Sequence, residues 1–261
     1  MPWLTHDTDA HRELLATILV AFLRPGNDSR LSQSATREGE DHLSKDASGT
    51  GNTVRVVCIS DTHELHRELD VPHGDILIHA GDFTMFSRRP SVIADFDRWL
   101  GELPHRAKIV IPGNHEFLIE AGTAPVLRNA TLLIDRGIES HGLRVWGSPL
   151  TINGGAFSKS DPEERRRIYK QIPEATDILI THGPPYGILD REAGSANHQG
   201  CEVLLEFVTN IKPHLHVFGH VHTGYGTSKV GDTIFANAAM LTEFGDVDRS
   251  PILFDIPVLT E

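Results

Sequence analysis

Five short polar blocks, each placed directly behind an apolar run, constrain this chain more than any other feature. They are Asp61-Thr62-His63, Gly81-Asp82, Gly113-Asn114-His115-Glu116, Thr181-His182-Gly183 and Gly219-His220-Val221-His222. The runs ahead of them read as buried strands. A side chain at the C-terminal end of a strand is well placed to project into a shared crevice. Carboxylate, amide and imidazole groups at five such ends are hard and borderline ligands, and as a set they point to a two-metal hydrolytic site. The fold must therefore bring strand ends from most of the chain to one place.

Spacing within the blocks supports this. Residues two apart in an extended segment project to one side. Asp61 with His63, and His220 with His222, are thus expected to face common ions, with Thr62 and Val221 turned away. Gly81 and Gly113 allow tight turns that bring backbone close to the ions. Alone, each block has an ordinary reading, since Asp-x-His arises by chance and His-x-His on a strand is commonly a surface pair. The set does not.

The pattern predicts strands over Val54–Ile59, Ile76–His79, Lys108–Ile111, Thr131–Ile134, Arg144–Trp146, Ile178–Ile180, Leu215–Phe218, Thr233–Phe235 and Ile252–Ile256. It predicts helices over Ser91–Leu103, Pro162–Gln171 and Cys201–Asn210, with Ser91 and Asp161 in capping positions. Strands and helices alternate early and strands dominate later. An α/β fold is expected, with two sheets packed face to face and helices outside. Residues 1–24 carry an apolar stripe (Leu14, Leu15, Ile18, Leu19, Phe22, Leu23) at helical spacing, too short to span a bilayer. Residues 25–52 are rich in Ser, Gly, Asp, Glu and Arg and read as a flexible linker or long loop. The organised domain is 53–261.

Composition narrows the partners. A formal net charge of -12 argues against a long nucleic acid, although bound cations reverse the sign locally for a small phosphate ester. Two cysteines cannot make a disulfide scaffold, Cys58 reads as a core residue, and a cytoplasmic location is expected. Of the sixteen histidines, His73, His105 and His141 lie beside Pro or Gly and read as surface loop residues.

The order of blocks resembles the calcineurin-like metallophosphoesterase superfamily. The stretches Ser60-Asp61-Thr62-His63, Ile78-His79-Ala80-Gly81-Asp82-Phe83-Thr84, Thr181-His182-Gly183-Pro184-Pro185 and Phe218-Gly219-His220-Val221-His222 resemble a narrower group. That group is the metallophosphoesterase-domain-containing (MPPED-like) phosphodiesterases, related to class III cyclic-nucleotide phosphodiesterases. The match runs from about Val54 to Pro257. The resemblance implies a four-layer αββα sandwich of two mixed sheets. It implies a first metal on Asp61, His63, Asp82 and His222, and a second on Asp82, Asn114, His182 and His220, with Asp82 bridging. His115 would stand outside the coordination shell as proton donor to the leaving group. Glu116 stands where many members have Asp, which weakens any role for it.

The expected activity is hydrolysis of a small phosphodiester such as a cyclic nucleotide, through a hydroxide shared by two divalent ions. Mn²⁺ is expected first, with Fe or Zn²⁺ as alternatives suited to the same donors. The same clamp would serve a phosphomonoesterase acting on nucleotides or phosphoproteins, and a non-catalytic metal-binding scaffold is a third reading. His66, Arg88 and Arg89 are candidates for substrate contact, each with a plain structural alternative. Tyr186, Phe117 and Tyr225 sit next to metal blocks, where a ring can stack on a base or simply pack.

Overall fold

Residues 53–86, 89–152 and 154–258 are described by the computed structural model of the chain. The expected helix over 1–24, the linker over 25–52 and Arg88 lie outside the described residues.

The apolar runs form strands in two sheets. In the first, β1 (Thr53–Ile59), β2 (Ile76–His79), β3 (Ala107–Val110) and β4 (Thr131–Leu132) run parallel in that order, and β11 (Ile252–Pro257) pairs antiparallel with β1. In the second, the order is β5 (Arg136–Ser140), β6 (Leu143–Ser148), β7 (Ile178–Thr181), β8 (Leu215–Phe218), β10 (Thr233–Asn237) and β9 (Gly226–Val230). Here β6, β7, β8 and β10 are parallel, and β5 and β9 are antiparallel edges. Both sheets are mixed, as the resemblance implied.

Register decides where the loops emerge. Ile59, His79 and Val110 are level across β1, β2 and β3, and Ile180 is level with Val217 across β7 and β8. Parallel strands in register end together, so all five polar blocks leave the sheets at one edge. A bridge between Ser60 and Ala239, with the Met240 N–H donating to Ser60 O at 2.9 Å, ties the two sheets together there.

Alternation along the strands sorts side chains into layers. Val56, Cys58, Ile78 and Ile109 face Val145, Ile180, Val217 and Ala236 in a core between the sheets. The outward residues Val57, Ile59 and Leu77 are covered by α1 (Pro90–Glu102), whose Ile93, Phe96, Trp99 and Leu100 make one apolar face. A single helical turn, α2 (Phe117–Glu120), follows β3. Outside the second sheet, α3 (Pro162–Tyr169) and α4 (Glu202–Ile211) bring Tyr169, Val203, Leu204 and Val208 against Leu179, Phe218 and Phe235. Four layers result.

Asp161 caps α3 as expected, accepting from Glu163 N–H at 3.0 Å. Ser91 does not cap α1: the preceding position is Arg89, without a side-chain cap bond, and Pro90 occupies the first turn. A proline at that position needs no partner for an N–H it lacks. Among the described residues, no helix is long and apolar enough to cross a membrane.

Candidate metal centre

The chain does not run extended into the polar blocks. Asp61 (φ 52°), His63 (φ 41°), Asp82 (φ 54°) and His220 (φ 68°) all take left-handed backbone. Such conformations cost a non-glycine residue about 1–3 kcal/mol and persist where the surroundings over-determine them. The expected strand alternation is thereby corrected. Asp61 and His63 share a side because the chain turns sharply after β1. Asp61 N–H donates to Gly81 O at 2.9 Å and His63 N–H to Asp82 O at 3.0 Å, so the first two blocks are laced together. Thr62 is turned away and buried, its hydroxyl 3.0 Å from His79 Nε2, and that bond gives His79 a structural role.

The two predicted glycines are required by close approach. Gly81 sits at φ 102°, and a Cβ there would lie 2.5 Å from His182 Nδ1. A Cβ on Gly113 would lie 2.3 Å from Asp82 Oδ1.

Seven predicted ligands converge in adjoining groups. In the first, Asp61, His63 and His222 offer ligand atoms within 4.8 Å of one another. His63 Nε2 is 3.4 Å from His222 Nε2, and His222 Nε2 is 3.6 Å from Asp61 Oδ1. The opposite ring nitrogens are held by carbonyls, His63 Nδ1 by Thr84 O at 3.2 Å and His222 Nδ1 by Thr242 O at 3.1 Å. A carbonyl on Nδ1 fixes the proton there and leaves the Nε2 lone pair for an ion. Asp61 also accepts His220 N–H on both oxygens, at 3.0 and 2.9 Å.

In the second group, Asp82, His182 and His220 lie within the same limit. His182 Nε2 is 3.2 Å from Asp82 Oδ2 and 2.9 Å from Asn114 Oδ1, and His220 Nδ1 is 3.0 Å from the same amide oxygen. Ala80 O holds His182 Nδ1 at 2.9 Å. Asp82 Oδ2 is also 4.0 Å from His63 Nε2, which places this carboxylate between the two groups.

The electrostatics fit divalent ions. Asp61 and Asp82 are buried, and among the described residues neither pairs with Lys or Arg. Burial raises the Asp61 carboxyl, but the His222 hydrogen bond and the neighbouring histidines hold it below the usual range. Burial lowers the His182 imidazole, yet Asp82 and Asp61 push it up to about 10. Burial and the neighbouring His182 bring His220 down to about 4, leaving it neutral and able to donate a lone pair. His182 holds a proton because two buried carboxylates need positive charge beside them. Divalent ions meet that need with more charge and displace the proton. The mixed donor set of imidazole, carboxylate and amide suits a pair of such ions.

His115 stands beside these donors. Its backbone N–H donates to Asp82 Oδ1 at 2.9 Å, its Nε2 is 3.8 Å from Asp82 Oδ2, and its Nδ1 bonds the Met85 carbonyl. Glu116 matters more than its departure from the family pattern suggested. It is fully buried and accepts from Asp82 N–H at 2.9 Å, Gly113 N–H at 2.5 Å, and the Thr84 N–H and hydroxyl at 2.9 Å each. One carboxylate thus binds the second and third blocks together. Burial and the Asp82 charge raise it to about 8, against the pull of these donors. The sequence signal for this role is its place two residues after Asn114. The Thr84, Met85 and Thr242 carbonyls that orient the imidazoles carry no side-chain signature.

Other candidates fall elsewhere. His66 is 2% exposed, its Nε2 is 3.2 Å from Asp95 Oδ2, and its ring packs on Phe96 and Trp99. The expected substrate contact by His66 is therefore corrected to a tie between the loop after β1 and α1. Arg89 is turned outward, its side chain 73% exposed and 3.6 Å from Glu64. His105 is buried rather than on the surface, with Nε2 3.0 Å from Pro72 O. Tyr225 donates its hydroxyl to Ser250 O at 2.7 Å and carries Arg249 over its ring, a packing role.

Comparison with known proteins agrees with this geometry. Residues 54–224 match the family described as Calcineurin-like phosphoesterase. The chain is 36% identical to Metallophosphoesterase domain-containing protein 1 of Homo sapiens, over 83% of this chain and 75% of that protein. It is 40% identical to a UPF0046 protein of Caenorhabditis elegans, over 79% of this chain and 82% of that one. One solved structure, 20% identical with a TM-score of 0.52, covers 78% of this chain and 99% of its own and shares the fold. With these similarities and the converging His and Asp donors, the chain belongs to the calcineurin-like phosphoesterase family, as a metallophosphoesterase with candidate His/Asp metal sites.

Proposed function

We propose that this chain is a metal-dependent phosphodiesterase acting on small phosphodiesters, with cyclic nucleotides as the leading substrate class. Asp61, His63, Asp82 and His222 would hold one ion and Asp82, Asn114, His182 and His220 the other, with Mn²⁺ the ion to test first. When bound, such a pair supplies Lewis-acid charge for the phosphoryl oxygens and lowers the pKa of nearby water. The remaining chemistry falls to the chain's own side chains.

The observation that carries the reading is the placement of His115. Its Nδ1 bonds the Met85 carbonyl, so that nitrogen carries a proton and Nε2 is the one that faces Asp82 and the donor groups. As an imidazolium, His115 would pass the Nε2 proton to the departing alkoxide, an effect worth about 10²–10⁴-fold in rate. A diester has one negative charge and a monoester about two near neutral pH. The shortage of a second cationic side chain favours the diester: Arg89, close in sequence to Asp82, is turned outward beside Glu64 at 3.6 Å.

Turnover of bis-(p-nitrophenyl) and mono-(p-nitrophenyl) phosphate by the Mn²⁺-loaded protein tests this directly. The diester is expected to be the better substrate by kcat/KM. A strong preference for the monoester would replace the proposal with a phosphomonoesterase.

A further inference from the structure

We infer that His79 is a positioning residue for the metal pair. Its imidazole, bonded to Thr62 on one side and to Gly81 on the other, holds the ligands of the first block at a fixed spacing from Asp82. The inference rests on the proposed binding of two ions that share Asp82.

The partners dictate the tautomer. Gly81 N–H donates to His79 Nδ1 at 3.3 Å, so Nδ1 keeps its lone pair. The proton is then on Nε2, which donates to the Thr62 hydroxyl oxygen at 3.0 Å. The residue is fully buried, and burial lowers its imidazole to about 3, so the ring stays neutral with one donor and one acceptor nitrogen. Phe83 and Phe96 pack on it at 84° and 80° between planes, with centroids 5.9 and 5.1 Å away, which fixes the plane of the ring. Its backbone belongs to β2, level with Ile59 of β1 and Val110 of β3, so the mount is a strand paired on both sides.

The two groups that the ring joins sit where the ion ligands need support. Thr62 stands between Asp61 (φ 52°) and His63 (φ 41°), and Gly81 (φ 102°) stands directly before Asp82 (φ 54°). Left-handed backbone at non-glycine residues persists only where neighbours over-determine it. Asp61 N–H on Gly81 O and His63 N–H on Asp82 O lay the two loops side by side, at 2.9 and 3.0 Å. The imidazole adds a rigid strut across them. Among the described residues, it is the hydrogen-bond partner of both the Thr62 hydroxyl and the Gly81 N–H. The spacing so held is the one that puts Asp82 Oδ2 4.0 Å from His63 Nε2 while it stays 3.2 Å from His182 Nε2. A carboxylate that serves two ions tolerates little drift relative to either ligand group.

The test uses Thr62→Val, which removes the acceptor with little change of shape, Thr62→Ser, which keeps it, and His79→Phe, which keeps a flat ring without either bond. Mn²⁺ binding is followed by calorimetry, and the coupling between the two bound ions by electron paramagnetic resonance. Thr62→Val is expected to weaken the affinity for at least one ion about 10–100-fold and to alter the coupling, and Thr62→Ser to match the parent. His79→Phe is expected to show a loss at least as large. Adding Thr62→Val to it should change affinity little further, because the two side chains act as a unit. Should His79→Phe not fold, the two Thr62 variants carry the test. Folded variants that bind both ions with parent affinity and parent coupling, whatever their stability in urea, overturn the inference and leave the two-ion reading intact. Fully additive losses overturn it as well. Nitrogen-15 NMR of the metal-free parent gives an arm that needs no ion: His79 is expected with its proton on Nε2, and a proton on Nδ1 rejects the strut. A parent that binds fewer than two ions fails the two-ion reading itself, and the inference falls with it.

Discussion

Asp82, behind a strand of the first sheet, lies 3.2 Å from His182, behind a strand of the second. The pair joins the two sheets at the one edge where all the polar blocks emerge. Asp82→Ala removes the carboxylate proposed to serve both ions, 3.2 Å from His182 and 4.0 Å from His63. Metal content measured by plasma mass spectrometry is expected to fall for both ions together, and activity by at least about a hundredfold. A variant that loses one ion and keeps the other at full affinity would show that Asp82 does not bridge.

Glu116 is held by four donors from the second and third blocks. Glu116→Gln turns one acceptor oxygen into an NH₂ group facing N–H or O–H donors. Stability in urea is expected to drop by about 1–3 kcal/mol. Metal affinity, read by calorimetric titration, is expected to weaken by about 10–100-fold, in the range found for groups that orient metal ligands.

His115 has its Nδ1 on Met85 O and its backbone N–H on Asp82, and it also lies within reach of His63 and Asp82 as a third group of donors, so its proposed role outside the ligand set is open to test. His115→Ala is expected to keep metal content near the parent value while kcat for a poor leaving group falls about 10²–10⁴-fold. For an activated leaving group such as p-nitrophenolate the loss is expected to be smaller, because that oxygen departs with less need of a proton.

His216 sits fully buried in β8, with Nε2 2.8 Å from the Thr181 hydroxyl. Burial lowers its imidazole to about 3, so it stays neutral in the fold while the unfolded chain takes a proton near the ordinary value. A depressed folded-state value gives stability that is complete above the unfolded pKa and is lost as pH falls towards the folded one. Between about pH 7 and about pH 5 this residue is expected to account for about 2 kcal/mol of lost stability. Urea denaturation of His216→Phe at both pH values should show a shallower acid dependence than the parent.

Legibility in the sequence followed from how each feature is encoded. The runs that form β2, β7, β8 and β1 from Val56 onward are buried on both faces, so continuous apolar stretches mark them. β5 and β9 lie at the sheet edges and pair on one side only. Their sequences, RGIES and GTSKV, show neither a run nor alternation, so nothing in the pattern marks them as strands. The donor set was legible because metal chemistry restricts side-chain types. The left-handed turns at Asp61, His63 and Asp82 were hidden, because tertiary hydrogen bonds rather than local glycines hold them. His66 was misplaced for a related reason: its spacing from His63 points inward, and only the position of α1 shows that Asp95 takes it.

Asp61 accepts the backbone N–H of His220, a residue 159 positions later in the chain. A centre assembled across such a span exists only once the final parallel strands have docked, since β8 must lie in place before its loop can reach back. No excised half of the protein contains both partners, so the complete donor set requires segments 159 residues apart to have docked. Ion uptake can therefore serve as a clock for completed folding, trailing any signal of early secondary structure.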